Sequence, residues 1–246
     1  MSIVQRTDLA AITEVAPARA IVSATRAVHG SIRSSVTAPS RPVALWAIIC
    51  STAAPILFVT AWLIAGLLQP PSYSPMRNTI SGLSGQAASD RWIVTAALAI
   101  VGGSYVITAA GLHGVRLAAR IDLLIAGGAG IGVAACPQPA DGTTTVHLVF
   151  ATIGAAAIAI WPALTARGRN CESAVIALPI ALTVTAVFVA MLGWLFIEAR
   201  TGGAWLGMVE RLDASLQICW PPVLAIALYR ADRQRQREPE PLEMPR

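Results

Sequence analysis

Six long apolar runs constrain this chain more than any other feature of its sequence. They predict transmembrane segments at about 43–68, 92–112, 121–135, 143–164, 173–197 and 212–229. Most of these runs have the length that an α-helix needs to cross a hydrocarbon core of about 30 Å. Since backbone polar groups cannot stay unpaired in lipid, each run is expected to be helical. The sequence therefore predicts an all-α integral membrane bundle of six transmembrane helices.

The composition agrees with lipid as the main solvent of the chain. Hydrophobic residues make up 55% of its 246 residues and charged residues only 13%, whereas soluble domains carry about 25% charged residues. The net charge of +5 comes from arginines in tails and short loops without interleaved aromatic residues. We therefore infer membrane lipid as a partner and no nucleic acid.

Two polar segments flank the predicted six-helix domain at 43–229. Residues 1–42 have no run long enough to cross a bilayer, so they predict a mostly disordered cytoplasmic tail, with an amphipathic helix on the membrane surface as the alternative. Residues 230–246 alternate Arg, Gln, Glu and Pro and predict a second disordered cytoplasmic tail.

The distribution of arginines predicts the orientation of the bundle. Of the 18 basic residues, only Arg77, Arg91, Arg200 and Arg211 fall in the three odd-numbered loops, and the rest lie in the tails and even-numbered loops. Basic residues are enriched on the cytoplasmic side of membrane proteins. Both termini are therefore predicted to be cytoplasmic, in a bacterial inner (plasma) membrane, with the odd-numbered loops on the outer face.

Small residues at intervals of four predict where helices approach each other closely. Thr95, Ala99 and Gly103 share one face of the second span, and Gly128 and Gly132 form a GxxxG pair in the third. Contacts within one bundle and contacts between subunits use the same residues, so the oligomeric state and any protein partner stay open.

Ionisable residues near the outer ends of the fourth and sixth spans form the candidate ligand-binding site. Asp141 precedes the fourth span, where it is placed to cap the helix, and His147 lies about five residues inside it. Glu210, Arg211 and Asp213 stand at the start of the sixth span. Because ionisable groups in a bilayer cost roughly 2.5–3.5 kcal/mol at a helix centre, these residues predict either a polar outer-face pocket or a hydrogen-bonded network that caps the helix ends.

No metal or cofactor is predicted for this site. The remaining histidines, His29 and His113, fall on the cytoplasmic side of the predicted topology. One histidine with nearby carboxylates is too small a ligand set to indicate zinc.

A Gly82–Leu83–Ser84–Gly85 stretch in the first loop matches the GxSG motif of rhomboid intramembrane proteases. In that family the serine opens the fourth helix and its histidine partner lies in the sixth. Here Ser84 precedes the second span and the sixth span has no histidine. A nucleophilic pair of Ser84 with His147 stays possible, since both are predicted near the outer surface.

Several short motifs occur together in a recognisable order. They are Tyr73–Ser74–Pro75 with Thr79–Ile80–Ser81 and Leu83 in the first loop, Pro137, Asp141 and His147 before and in the fourth span, and Glu210–Arg211 before the sixth. With these motifs the chain resembles the bacterial membrane protein family of domain of unknown function number 998, over about residues 45–229. The architecture is also distantly similar to the Frag1/DRAM/Sfk1 group, which is linked to lipid handling. The resemblance implies a six-helix fold and adds Ser81 to the positions of interest, without assigning an activity.

These observations lead to three functional hypotheses. The first is a non-enzymatic membrane protein that binds or handles a lipid or envelope component, with Arg211 attracting an anionic headgroup and His147 and Asp141 as hydrogen-bond partners. The second is an intramembrane hydrolase that uses Ser84 or a site centred on His147. The third is a structural membrane subunit or a small-solute transporter, disfavoured by the lack of a mid-membrane charge or a clear repeat.

Overall fold

The computed structural model describes residues 43–167 and 173–237, and helices dominate both segments. The helices are α1 (Leu45–Leu67), α2 (Ile80–Leu83), α3 (Trp92–Gly111), α4 (Leu117–Ala135), α5 (Thr145–Thr165), α6 (Leu178–Thr201), α7 (Leu206–Ile218) and α8 (Trp220–Arg235), with a 3₁₀ helix at Ala174–Ile176. No strand occurs in these two segments. The predicted tail at 1–42 lies outside the described residues.

Six spans of this structure are long and apolar enough to cross a membrane. Five are the single helices α1, α3, α4, α5 and α6, and the sixth is the pair α7 and α8, which together cover Leu206–Arg235. The prediction of an all-α fold with six membrane-spanning helices is therefore confirmed.

The sixth span is broken into two helices and begins earlier than predicted. The predicted polar loop at 198–211 is largely helical, since α6 runs to Thr201 and α7 begins at Leu206. The break at Cys219 precedes Pro221 and Pro222, which lack an amide hydrogen and fit best in the first turn of a helix. The first residues of the predicted C-terminal tail are also helical, because α8 continues to Arg235; residues 238–246 lie outside the description.

This earlier start moves two candidate residues from a loop into a helix and places a third deeper in the span. Glu210 and Arg211 lie in the second turn of α7, and Asp213 is seven residues from its first residue. At about 1.5 Å per residue, Asp213 is roughly 10 Å along the helix rather than at its mouth. A carboxylate thus lies well inside the sixth span.

The six spans pack in a ring. Consecutive spans are neighbours in space, and the last span packs back against α1. Each apolar run therefore buries one side against two neighbours and leaves the other side exposed. The ring encloses the central cavity described below.

A close helix approach joins α3 and α4 through glycines that the small-residue pattern missed. A Cβ atom on Gly102 would lie 2.5 Å from the carbonyl oxygen of Gly127, while one on Gly103 or Gly128 would meet no described atom within 4 Å. Contrary to the prediction, Gly103 and Gly128 make no close helix contact within the described part of the chain. Gly132 does face a neighbour, since its Cβ would meet the Phe150 ring at 2.5 Å.

Two backbone hydrogen bonds gather the odd-numbered connections at one end of the bundle. Gln86 N donates to Gln138 O at 2.9 Å, and Gly207 N donates to Met76 O at 2.8 Å. We call this end, which carries residues 68–91, 136–144 and 202–205, the long-loop end. It presents most of the polar residues that the sequence singled out.

The N-terminus of α5 is capped by Thr144. Its hydroxyl oxygen accepts a hydrogen bond from His147 N at 3.2 Å, and its backbone is extended as expected for a cap residue. Asp141 lies three residues before this position and is exposed. The predicted capping of this helix by Asp141 is therefore wrong.

Loss of this cap is expected to destabilise the protein measurably. Thr144→Ala removes the acceptor for His147 N and should lower the free energy of unfolding by about 1 kcal/mol. Asp141→Ala, the control, removes an exposed side chain and should change it by no more than about 0.5 kcal/mol. Denaturant unfolding in detergent micelles measures both, and equal losses in the two variants would contradict the assignment.

Candidate functional site

The seven candidate residues do not form one pocket. Three of them line the central cavity: Ser81, Glu210 and Asp213. The other four have different surroundings: Ser84, Asp141, His147 and Arg211. The residues that the sequence grouped into one candidate site therefore lie in different surroundings in the structure.

The cavity lies inside the ring of spans and has a volume of about 210 Å³. Its wall is mostly apolar, with contributions from α1, α3, α4, α5, α6 and α7. Its polar side chains are Ser81, Tyr105, Glu210, Asp213 and Gln217. Most of these belong to α7, so the polar groups are concentrated on one wall.

Glu210 joins α7 to the first turn of α2. Its carboxylate accepts hydrogen bonds from the hydroxyl of Ser81 at 2.9 Å, from Ser81 N at 3.4 Å and from Ile80 N. The amides at the start of a helix have no partner within that helix, so a carboxylate satisfies them well. Glu210 therefore fastens α2 against the cavity, and much of its acceptor capacity is used by the protein itself.

Asp213 and Gln217 form the less occupied part of the polar wall. Gln217 lies one turn after Asp213 and donates from Nε2 to Asp213 Oδ1 at 2.7 Å. Their exposed fractions are only 3% and 4%. Within the described residues, Asp213 Oδ2 and Gln217 Oε1 have no hydrogen-bond partner. Since a carboxylate can accept several hydrogen bonds, most of the capacity of Asp213 is unused.

Tyr105 adds a third polar group without a partner to the cavity wall. It comes from α3, is 7% exposed, and its hydroxyl makes no hydrogen bond to any described residue. Buried hydroxyls are normally hydrogen-bonded. Three nearly buried side chains of the cavity wall thus retain unused hydrogen-bonding atoms.

Arg211 turns away from the cavity and holds the first loop. Its Nη1 donates to the carbonyl oxygens of Pro75 and Asn78, each at 2.8 Å, and to that of Gly207 at 2.7 Å. Gly207 permits this close approach, because a Cβ there would lie 2.2 Å from Asn78 O. A guanidinium carries only hydrogen-bond donors. It therefore pairs well with a loop whose carbonyl oxygens point toward it.

Two aromatic side chains complete the surroundings of the Arg211 guanidinium. Its Nη2 donates to the Tyr73 hydroxyl, and its central carbon lies 5.3 Å from the centre of the Trp62 ring. Burial raises the pKa of the Tyr73 phenol although the nearby guanidinium opposes this, so the hydroxyl stays neutral at physiological pH. The arginine is only 5% exposed, and its charge is balanced by hydrogen bonds to neutral oxygens and by the Trp62 ring.

His147 is buried at the junction between α4 and α5. Its Nδ1 lies 2.8 Å from the carbonyl oxygen of Cys136, which ends α4. Its Nε2 is buried without a partner in the described part of the chain. The imidazole therefore ties two helix ends together and does not line the central cavity.

Ser84 ends the short helix α2 and is almost fully buried. Its hydroxyl donates to Ser81 O at 2.9 Å, and no hydrogen bond connects it to His147 within the described segments. The Gly82–Leu83–Ser84–Gly85 stretch is thus a helix end, where both the amide and the hydroxyl of Ser84 donate to Ser81 O.

A second concave region lies at the long-loop end. This cleft of about 400 Å³ lies between the first loop and the loop after α4, and it is lined by residues such as Arg77, Thr79, Gly82 and Gln138. Ile80 and Ser81 line the central cavity instead. The short helix α2 therefore borders the cleft with some residues and the cavity with others.

Sequence reasoning did not identify Tyr105 or the apolar wall of the cavity. Asp213 and Gln217 are four residues apart in the sequence, a spacing that places two side chains on one face of a helix. Tyr105 carries no comparable signal, because a lone tyrosine in an apolar span is compatible with ordinary packing. Only the arrangement of the helices shows that it faces the same space as α7.

The comparison with protein families agrees with this architecture. A family model described as "Protein of unknown function (DUF998)" matches residues 52–227, which is more than half of the chain. The chain belongs to this family. The resemblance predicted from the short motifs is confirmed, and every residue that lines the central cavity falls within the matched region. No curated protein and no solved structure matches the chain.

Proposed function

We propose that this membrane protein is non-enzymatic and binds an amphipathic molecule, a lipid or another envelope component, in the central cavity. The observation that carries the proposal is the nearly buried Asp213–Gln217 pair, whose free acceptor atoms border a mostly apolar space. Such a combination of apolar wall and few polar groups is typical of ligand sites. The apolar part of the ligand contacts the helices, and its polar group contacts α7.

The volume of the cavity limits what it can hold. Pockets for drug-sized ligands measure roughly 300–1,000 Å³, and this cavity measures about 210 Å³. It therefore accommodates a single short chain with one small polar group, or the corresponding part of a larger lipid. A complete two-chain phospholipid does not fit inside.

Arg211 has a different role here from the one that the sequence suggested. The sequence suggested that Arg211 attracts an anionic headgroup, but its guanidinium donates to loop carbonyls and to Tyr73. We propose that Arg211 does not contact the ligand but stabilises the first loop beside the cavity. Asp213 and Gln217 contact the ligand. With cytoplasmic termini, as the arginine distribution predicts, the long-loop end faces outward.

A small-solute transporter is the second candidate, and one observation favours it. Asp213 lies within the sixth span, six residues before the helix break at Cys219, rather than at the membrane surface. Ionisable residues and broken helices at this depth are common in transport pathways. The hydrolase hypothesis gains no comparable support, because Ser84 donates to a backbone carbonyl and borders neither the cavity nor the cleft.

Filling the cavity is expected to remove a bound amphiphile. Ala155→Phe places an aromatic ring on the wall of the cavity, whereas Ala96→Phe, the matched control, adds the same ring to an exposed position of α3. Native mass spectrometry of the protein in a mild detergent should show a co-purified amphiphile in the wild type and in Ala96→Phe. The adduct should fall at least about tenfold in Ala155→Phe.

The same spectra can contradict the proposal. An adduct of equal abundance in both variants would place the binding site outside the cavity. Wild-type protein that carries no adduct, and acquires none when mixed with extracted membrane lipids, would argue against a lipid-binding function altogether. Thermal melting of the two variants shows whether both remain folded.

A further inference from the structure

We propose that the ligand of the central cavity carries a primary ammonium group and that Asp213 binds this group, an inference that rests on the proposed function. It assigns a chemical class to the ligand. The charges that line the cavity, the hydrogen-bonding atoms that remain free and the shape of an ammonium group each support it.

Within the described part of the chain, two acidic side chains and no basic one line the cavity. Its wall contains the carboxylates of Glu210 and Asp213, and no arginine or histidine among the described residues lines it. The nearest basic residue along the chain, Arg211, directs its guanidinium to the first loop and the Trp62 ring. A cationic ligand would therefore supply the missing charge, whereas an anionic headgroup would be repelled.

The two carboxylates differ in how many hydrogen bonds they already accept from the protein. Glu210 already accepts hydrogen bonds from two amides and one hydroxyl of α2. Asp213 accepts one, from the neutral amide of Gln217. A buried carboxylate without further donors is costly unless a charge or a proton compensates it. Asp213 is thus the group that a cation would stabilise most.

The free atoms match the donors of an ammonium group. A primary ammonium carries three N–H donors and no acceptor, as in the side chain of lysine. The cavity wall offers three acceptors without protein partners, namely Asp213 Oδ2, Gln217 Oε1 and the Tyr105 hydroxyl oxygen. The existing hydrogen bond from Gln217 to Asp213 fixes the amide so that its oxygen stays available.

A bound metal ion is a weaker explanation of the same charge. No group of three His, Cys, Asp or Glu side chains that could hold a metal occurs among the described residues. The rest of the cavity wall is mostly apolar, including Phe58, Val101 and Ile158. Such a wall suits the hydrocarbon part of an alkylamine better than the hydration shell of an ion.

Photoaffinity labelling with three matched probes tests this inference. The probes are octylamine, octanol and octanoate derivatives that carry the same diazirine in the chain, and labelled peptides of the full-length protein are identified by mass spectrometry. In the wild type, the amine should label peptides of α5 and α7 saturably, at a concentration at least about tenfold lower than the alcohol needs. The carboxylate should label these peptides least.

An Asp213→Asn variant links this selectivity to one side chain. It should lose at least about tenfold in labelling by the amine and little in labelling by the alcohol. Asp141→Asn, the same change at an exposed residue, should label like the wild type. The probe comparison in the wild type needs no variant, so it stays decisive if Asp213→Asn fails to fold.

The outcomes distinguish this inference from the proposed function. Equal labelling of the cavity by amine and alcohol in the wild type would overturn the ammonium assignment while leaving amphiphile binding intact. Unchanged amine labelling in a folded Asp213→Asn protein would remove the role of Asp213. If no probe labels the cavity saturably, both the inference and the proposed function fail.

Discussion

Arg211→Leu is expected to lower the free energy of unfolding by about 3 kcal/mol or more. The substitution removes hydrogen bonds from a charged donor to Pro75 O and Asn78 O, and each bond of this kind contributes about 1.5–3 kcal/mol. It also removes the contact of the guanidinium with the Trp62 ring. Because leucine offers no donor, the loop carbonyls lose these partners, and the contact of the first loop with α7 should weaken.

Two further variants separate this effect from a simple change of charge. Arg211→Lys keeps the charge but replaces a planar group with several donors by a single ammonium, so we expect a smaller but clear loss. Arg77→Leu removes an exposed arginine from the same loop and should change stability by no more than about 0.5 kcal/mol. Denaturant unfolding followed by tryptophan fluorescence measures all three. Similar values for Arg211→Leu and Arg77→Leu would contradict the structural role of Arg211.

Gly102→Ala and Gly103→Ala are expected to change stability in opposite directions. A Cβ on Gly102 would lie 2.5 Å from the carbonyl oxygen of Gly127 and 2.9 Å from Ile131 N. These atoms belong to the α4 backbone and cannot move without separating the helices, so we expect a loss of about 1–3 kcal/mol. At Gly103 the same methyl group meets no atom within 4 Å, and the better helix propensity of alanine should stabilise α3 by up to about 1 kcal/mol.

The partner helix provides an independent repeat of this comparison. Gly127→Ala should resemble Gly102→Ala, since its Cβ would lie 2.6 Å from Gly102 O, and Gly128→Ala should resemble Gly103→Ala. Thermal melting of the four variants in one detergent measures the differences. If Gly103→Ala and Gly128→Ala were the more destabilising pair, α3 and α4 would contact each other through the faces that the sequence pattern suggested.

Two adjacent residues of α7 hold the first loop beside the cavity. Arg211 and Glu210 are adjacent in α7, and both form hydrogen bonds with backbone groups of the first loop. The guanidinium donates to loop carbonyls, whereas the carboxylate accepts from amides at the start of α2. Unpaired backbone groups are costly in a bilayer protein, so this pair stabilises an irregular loop beside the cavity. Asp213, one turn further along α7, is left with free acceptor capacity.

The candidate site was predictable in part. The sequence pointed to the start of the sixth span, and Glu210 and Asp213 do line a cavity there with Ser81. It also grouped Asp141 and His147 with them, but Asp141 is exposed and the His147 ring bonds to the end of α4. The position of a residue along its span is enough to tell which end of the bundle it lies near. The direction of each side chain depends on how its helix is rotated against its neighbours.

The six membrane-spanning helices and the family could be predicted from the sequence, because long apolar runs and short motifs are local features that no tertiary contact can change. The packed structure was needed to find which glycines touch, where the sixth span begins and breaks, and that Arg211 faces the loop while Asp213 faces the cavity. These properties depend on pairs of residues far apart in the chain, such as Gly102 with Gly127 and Arg211 with Asn78. A difference of one residue in a helix rotates a side chain by about 100°, which the apolar pattern of a lipid-exposed span does not specify.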